Sequence, residues 1–209
     1  MRNRILIAVT LCLLGVSLCA RAPADSLYGA EAPKDAAFVR FFRAAGGGGP
    51  VELGAKRFDP AVGEVTPYRP VLPDIYLLRS GGQETEIIPK VGHYYTLVVA
   101  AEGIRIFEDV EHTDPARAQL VLYNLLPSER VELKTADGRT SVIAGVGPGE
   151  AGRVNVNAIP VKLGVFGSAG PLGMLGDPGL QRGASYSAFV FETGSSPRIV
   201  WAKAELAKK

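Results

Sequence analysis

Short runs of β-branched and aromatic residues, each closed by glycine, proline, aspartate or serine, recur from Phe38 to Trp201 and constrain this chain more than any other feature. With 25 Gly and 15 Pro in 209 residues, the runs are too short and too often interrupted for long amphipathic helices. The sequence therefore predicts an all-β protein. Strands are expected over Ala37 to Ala44, Val51 to Lys56, Asp74 to Arg79, Thr85 to Ile88, His93 to Ala100 and Ile104 to Glu108. A second set is expected over Gln119 to Asn124, Val131 to Thr135, Thr140 to Ala144, Arg153 to Val156, Val161 to Phe166, Ser185 to Glu192 and Ile199 to Ala202. The one stretch open to a helix is Trp201 to Lys209. Asp137-Gly138 and Gly81-Gly82 mark tight hairpins, because a tight turn needs residues that tolerate positive φ.

The two sets read as copies of one another. Phe38-Val39-Arg40-Phe41-Phe42, Val51-Glu52-Leu53 and the run His93 to Val99 lie over Leu120 to Asn124, Val131-Glu132-Leu133 and the run Ser185 to Phe191, in the same order and at nearly constant spacing. Two tandem small β-sandwich domains related by duplication are expected, at 25–113 and 114–209, with a boundary near Thr113-Asp114-Pro115.

Residues 1–24 are expected to be a signal peptide. Arg2 and Arg4 supply the charged start, Ile5 to Leu18 the apolar stretch, and Ala22-Pro23-Ala24 the small residues before cleavage ahead of Asp25. The stretch is shorter than the roughly 20 residues that span a bilayer, and no other run is long enough, so a periplasmic mature chain without a transmembrane span is expected. Cys12 and Cys19 both lie in this leader, which excludes disulfides, thiolate metal sites and cysteine nucleophiles from the mature chain. Bulky Leu18 before Cys19 argues against lipid attachment.

Charge excludes a basic nucleic-acid binder: without Arg2, Arg4 and Arg21 the mature chain has 20 basic and 21 acidic residues. The charge is uneven, with 9 basic and 13 acidic residues from Asp25 to Thr113 against 11 basic and 8 acidic from Asp114 onward. The second half is the better candidate for facing a polyanion.

Motifs for catalysis are sparse. Asp109-Val110-Glu111-His112 has the Asp-x-x-His spacing of SGNH-type esterases and acetyltransferases, but no Gly-Asp-Ser supplies the nucleophile, and Gly176-Asp177 runs into Pro178. The pair falls in the expected linker, where charged residues are ordinarily solvated. Gly147 to Gly152 matches Gly-x-Gly-x-x-Gly but leads into the strand-like Arg153 to Asn157 rather than a helix, and Gly46 to Gly49 lacks the Lys and Ser/Thr of a phosphate loop. His93 and His112, the only histidines, make no metal-ligand spacing. No catalytic, cofactor-binding or metal-binding residue is therefore assigned, and no cofactor is expected.

Among the aromatics, Tyr28, Tyr68, Tyr94, Tyr123, Tyr186 and Trp201 are candidates either for packing or for stacking sugars, and Tyr94, Tyr123 and Trp201 are the chosen binding candidates. Alternation places Tyr95, Leu97 and Val99 on one face of their strand and Tyr94, Thr96 and Val98 on the other, so periodicity does not say which face is buried.

Leu27-Tyr28-Gly29, Ala32-Pro33, Phe38-Val39-Arg40, His93 to Val98, Leu133 to Thr140, Pro160-Val161-Lys162, Gly194-Ser195-Ser196 and Val200-Trp201 resemble, in order, the AlgF family of periplasmic accessory proteins of alginate O-acetylation. The resemblance covers Leu27 to Lys203. It implies two β-sandwich domains and a noncatalytic adaptor, acting with membrane-bound and periplasmic acetyltransferases that modify mannuronate residues during export. Contact with alginate itself, carbohydrate binding without an acetylation role, and an acetylesterase or acetyltransferase using Asp109 and His112 are the alternative readings. The glycine loop at Gly46 to Gly49 and the Gly/Pro stretch from Gly167 to Gly183 depart from the family pattern, and no contact residue is carried over.

Overall fold

A computed structural model describes residues 33–44 and 49–207; the expected signal peptide, both cysteines, Tyr28 and Gly46 to Gly48 lie outside the described residues. All regular structure among the described residues is strand. The first eight strands are β1 (Ala37–Arg43), β2 (Val51–Leu53), β3 (Lys56–Phe58), β4 (Arg69–Val71), β5 (Tyr76–Ser80), β6 (Gln83–Ile87), β7 (Tyr94–Ala100) and β8 (Gly103–Asp109). The next eight are β9 (Arg117–Asn124), β10 (Val131–Thr135), β11 (Ser141–Val146), β12 (Ala151–Asn157), β13 (Leu163–Gly167), β14 (Gly170–Gly176), β15 (Ser185–Thr193) and β16 (Ser196–Lys203).

They form four four-stranded sheets, ordered β4-β1-β7-β8, β3-β2-β5-β6, β12-β9-β15-β16 and β11-β10-β13-β14. The second pair repeats the first strand for strand, including the parallel pairing of β1 with β7 and of β9 with β15. Each pair is a sandwich around its own core. Val39, Phe41, Leu53, Leu78 and Leu97 are buried in the first, and Leu120, Leu122, Leu133, Val165 and Ala188 in the second.

The repeat is real, but its register differs by one residue from the sequence alignment in the long strands. Phe38 N–H donates to His93 O as Gln119 N–H donates to Ala184 O, and the Tyr95 hydroxyl accepts from Lys90 N–H as the Tyr186 hydroxyl accepts from Gln181 N–H. Val39 thus corresponds to Leu120 and Tyr95 to Tyr186. A one-residue slip exchanges the two faces of a strand, and here both faces are apolar, so the pattern did not penalise the error.

The outer faces of β1, β7, β9 and β15 are covered because the sandwiches pack on one another. Phe42, Ala44, Val98 and Ala100 of the first meet Tyr123, Leu125, Phe189 and Phe191 of the second in a third buried cluster. Phe189 stacks between Phe42, with ring centroids 4.3 Å apart, and Tyr123, at 4.5 Å. Burying each large side chain there contributes roughly 1.5–3 kcal/mol.

Other differences from expectation have local causes. The run Val51 to Lys56 is a hairpin, not one strand, because Gly54 takes the left-handed conformation at φ 56° beneath the Tyr76 ring. Proline and glycine concealed two strands, β4 and β14. Both are sheet edges, where Pro70 loses no central ladder bond, and Gly173 leaves room for Ile199, whose Cδ1 lies 2.6 Å from where a Cβ would stand. The segment open to a helix instead continues β16, and Leu206 then makes a parallel bridge to Tyr68, with Tyr68 N–H donating to Glu205 O and Ala207 N–H to Tyr68 O. The end of the second sandwich is thereby tied across to the first.

Candidate functional site

The sandwich-to-sandwich contact is not apolar throughout. Arg40 stands in the middle of β1, 2% exposed, on the face turned toward the second sandwich. Its Nε donates to Thr96 Oγ1 at 2.8 Å, and Nη2 donates to Tyr123 Oη at 3.0 Å and to Ser187 Oγ at 2.8 Å. The guanidinium lies over the Tyr68 ring, 4.5 Å from its centroid. At the end of β8, Asp109 accepts from Tyr68 Oη at 2.7 Å, from Thr96 Oγ1 at 2.5 Å and from Tyr123 Oη. Cation and carboxylate are thus joined through the hydroxyls of Thr96 and Tyr123, each accepting from one and donating to the other.

Burial opposes the charge on Arg40, but Tyr123, Tyr68 and Asp109 more than offset it, and its pKa is raised. Burial pushes the Tyr68 and Tyr123 phenols well above their ordinary 10.0, with the Asp109 charge reinforcing the shift and Arg40 opposing it. The stability these phenols confer is fully present below pH 10. As pH climbs toward the raised native values, the unfolded chain releases protons that the native chain keeps, and stability falls by about 1.4 kcal/mol per pH unit for each tyrosine. Denaturant titrations between about pH 9 and 11.5 check this: Tyr68→Phe is expected to make the decline shallower, and an unchanged slope would show that the phenol ionises normally.

A cleft of about 380 Å³ opens beside this network between the sandwiches, with Arg40, Tyr68, Tyr94, Asp109, His112 and Gln119 among its walls. The C-terminal segment, Lys203 to Leu206, closes one side. Asp109 and His112 therefore share a wall instead of standing in a solvated linker, yet they do not form an acid–base pair. Asp109 is committed to hydroxyls, and His112 Nε2 lies 2.9 Å from the backbone oxygen of Arg117. Among the described residues, no group of three or more His, Cys, Asp or Glu side chains is arranged to hold a metal.

The three aromatic candidates are separated. Tyr94 lines the cleft, stacked on Phe38 with centroids 4.6 Å apart, its phenol pKa raised by burial and then by Glu111. Tyr123 also borders the cleft, but it is fully buried with its ring against Phe189, so its hydroxyl is the part that acts. Trp201 lies elsewhere, half-buried against the core of the second sandwich and stacked on Tyr186 at 5.5 Å. Sequence reasoning missed Arg40, Thr96 and Ser187, and left Tyr68 among the aromatics that were not chosen. The available signal was an arginine in the apolar run Phe38 to Phe42, where a charge needs buried partners.

Fold and site together define a tandem double β-sandwich protein whose units are joined by a buried polar network beside a ligand-sized cleft. The chain belongs to the AlgF family: the family model described as "Alginate O-acetyl transferase AlgF" matches residues 8–187. It is 30% identical over 197 residues to the alginate biosynthesis protein AlgF of Pseudomonas aeruginosa, covering 91% of this chain and 89% of that one. Against the protein of the same name from Azotobacter vinelandii it is 27% identical over 181 residues, covering 85% and 82%. A solved structure of the C-terminal domain of AlgF from P. aeruginosa matches 42% of this chain and 98% of its own length, at 33% identity and a TM-score of 0.39. Among the described residues no helix is long and apolar enough to cross a membrane.

Proposed function

We propose that this protein is a noncatalytic periplasmic adaptor in the O-acetylation of alginate, required for acetyl groups to reach mannuronate residues during export and acting through membrane-bound and periplasmic acetyltransferases. Family membership supports the pathway. The observation that carries the noncatalytic role is the state of Asp109. A carboxylate accepting from three hydroxyls of both sandwiches serves to hold the units together, and His112 is turned to a backbone carbonyl. In this reading residues 25–113 and 114–209 are two units presenting several sheet edges to partners. The second, with more basic residues, lies nearer the polyanionic chain.

Deleting the gene in an alginate-producing cell is expected to remove acetyl groups from the secreted polymer while polymer output persists, with restoration by the intact gene. The purified protein is expected to leave acetyl esters unhydrolysed. Unchanged acetylation would end the pathway assignment, and ester turnover lost in His112→Ala would end the noncatalytic one.

A further inference from the structure

We infer that the end of the first sandwich carrying the loops Leu72 to Ile75 and Ile88 to Val91 docks on the surface of a lipid bilayer. Leu72, Ile75, Ile88 and Val91 are large aliphatic residues, each between 51% and 64% exposed. The pairing of Tyr76 with Ile87 sets Ile75 opposite Ile88, one step past the ends of β5 and β6. Leu72 follows the pairing of Val71 with Ala37, and Val91 precedes Gly92, whose N–H donates to Ala36 O at 2.8 Å, so both flank the start of β1. The Tyr76 hydroxyl donates to Leu72 O at 3.0 Å and ties the two groups together. Water thus meets four aliphatic side chains at one end of one sandwich.

The fold does not ask for aliphatics there, and the second sandwich shows why. Leu53 pairs with Leu78 as Leu133 pairs with Val165, so Ile75 corresponds to Lys162 and Leu72-Pro73 to Ile159-Pro160. Tyr76 pairs with Ile87 as Leu163 pairs with Gly176, so Ile88-Pro89 corresponds to Asp177-Pro178. Gly92 N–H donates to Ala36 O as Gly183 N–H donates to Arg117 O, so Val91 corresponds to Arg182. Equivalent turns, with the same prolines, carry Lys162, Asp177 and Arg182 in one copy and Ile75, Ile88 and Val91 in the other; only Leu72 has an aliphatic counterpart, Ile159. Exposed aliphatics at positions where the same fold accepts charges mark a surface that something else covers.

A bilayer suits this surface better than a protein does. Together the four side chains expose roughly 400 Å², about half of what each side of a stable interface buries, so they would not hold a second copy of the chain. None of them is an aromatic or an arginine, the residue types that anchor protein contacts. They carry about as many carbons as one myristoyl chain and are already partly covered, so their lipid affinity is at most the roughly 10⁴ M⁻¹ of such a chain. Contact of that strength is reversible and becomes lasting when a second attachment shares it. The sequence also leads from the membrane to this end. Eight residues, 25–32, separate the expected cleavage site from Pro33, and fully extended they reach at most about 30 Å. A leader still held in the bilayer therefore delivers this end of the first sandwich to the lipid surface. The contact stands beside the adaptor role and does not rest on it.

The test is cosedimentation of the full mature chain with vesicles of phosphatidylethanolamine and phosphatidylglycerol at millimolar lipid. The parent is expected to bind weakly and to stay bound in high salt, because the contact is apolar. Ile75→Lys combined with Ile88→Asp places in the first copy the pair that the second already carries, so the fold is kept, and lipid association is expected to fall tenfold or more. Val62→Glu, an exposed aliphatic beside Gly63, whose N–H donates to Arg43 O at the far end of β1, is expected to change nothing. In Leu72→Trp, vesicles are expected to shift the emission to shorter wavelength, while the parent, whose one tryptophan is Trp201, shows no shift. Absence of vesicle binding, binding that survives the double substitution, or binding abolished by salt would overturn the proposal. A parent that dimerises in lipid-free buffer, with the double variant monomeric, would assign the surface to a second copy and overturn it equally. Failure in any of these ways, in a protein whose deletion still abolishes acetylation, would leave the adaptor role standing.

Discussion

Arg40→Met is expected to lower the unfolding free energy by about 3–5 kcal/mol, because it takes the cation from a buried network and leaves the Asp109 carboxylate without it. Methionine fills much of the volume, so the loss reflects charge and hydrogen bonding more than a cavity. Thr96, Tyr123 and Ser187 each lose a donor at the same moment. Guanidinium chloride titration of the mature chain reads the effect directly. Pairing the substitution with Asp109→Asn should recover part of the loss, since removing both charges of a buried pair is far milder than removing one. A loss below about 1 kcal/mol for Arg40→Met would mean that water reaches the network in solution.

The second large effect is expected from Phe189→Ala, at about 3–5 kcal/mol. The ring is fully buried and clamped between Phe42 of the first sandwich and Tyr123 of the second, so truncation opens a void where neither wall can easily close. The loss falls on the contact between the units more than on either core, since the cores draw on the other faces of the same strands. Calorimetry of the variant is therefore expected to show the two sandwiches melting apart, where the parent melts as one. A single transition merely shifted to lower temperature would show that the units do not unfold separately.

The all-β class and the tandem arrangement were legible because β-strands of this kind announce themselves by side-chain type and by the residues that end them. Val131 to Thr135 is an example, bounded by a charged loop on one side and Asp137-Gly138 on the other. The strand β4 was illegible because Arg69-Pro70-Val71 carries a proline that only its edge position excuses, and β14 because its glycines answer to a neighbouring strand rather than to local propensity. The face assignment along β1 and β7 was unreadable for a related reason: alternation marks a sheet with one wet side, and these strands have none. The site suffered most. Its members come from β1, β7, β8, β9 and β15 and from the loop holding Tyr68, and Arg40 and Ser187 stand 147 residues apart, so no local spacing could reveal them. Asp109 and His112 were singled out for their spacing, and the structure uses both beside the same cleft for other purposes.

The buried charge belongs to one repeat alone. By the register of the two sheets, the place of Arg40 is taken in the second copy by Val121, that of Thr96 by Ser187 and that of Asp109 by Ala204. Two sandwiches of the same strand order with apolar outer faces face a hazard, since each could embrace a copy of itself from another molecule. Two first units meeting in this way would set two guanidinium groups into one dry seam without the phenol oxygen of Tyr123, whose place in the first copy is taken by Phe42, an arrangement penalised by both repulsion and desolvation. A lone arginine thus instructs the first half of the chain to seek its own second half and to refuse its twin, keeping a duplicated protein from polymerising through the surface that duplication created.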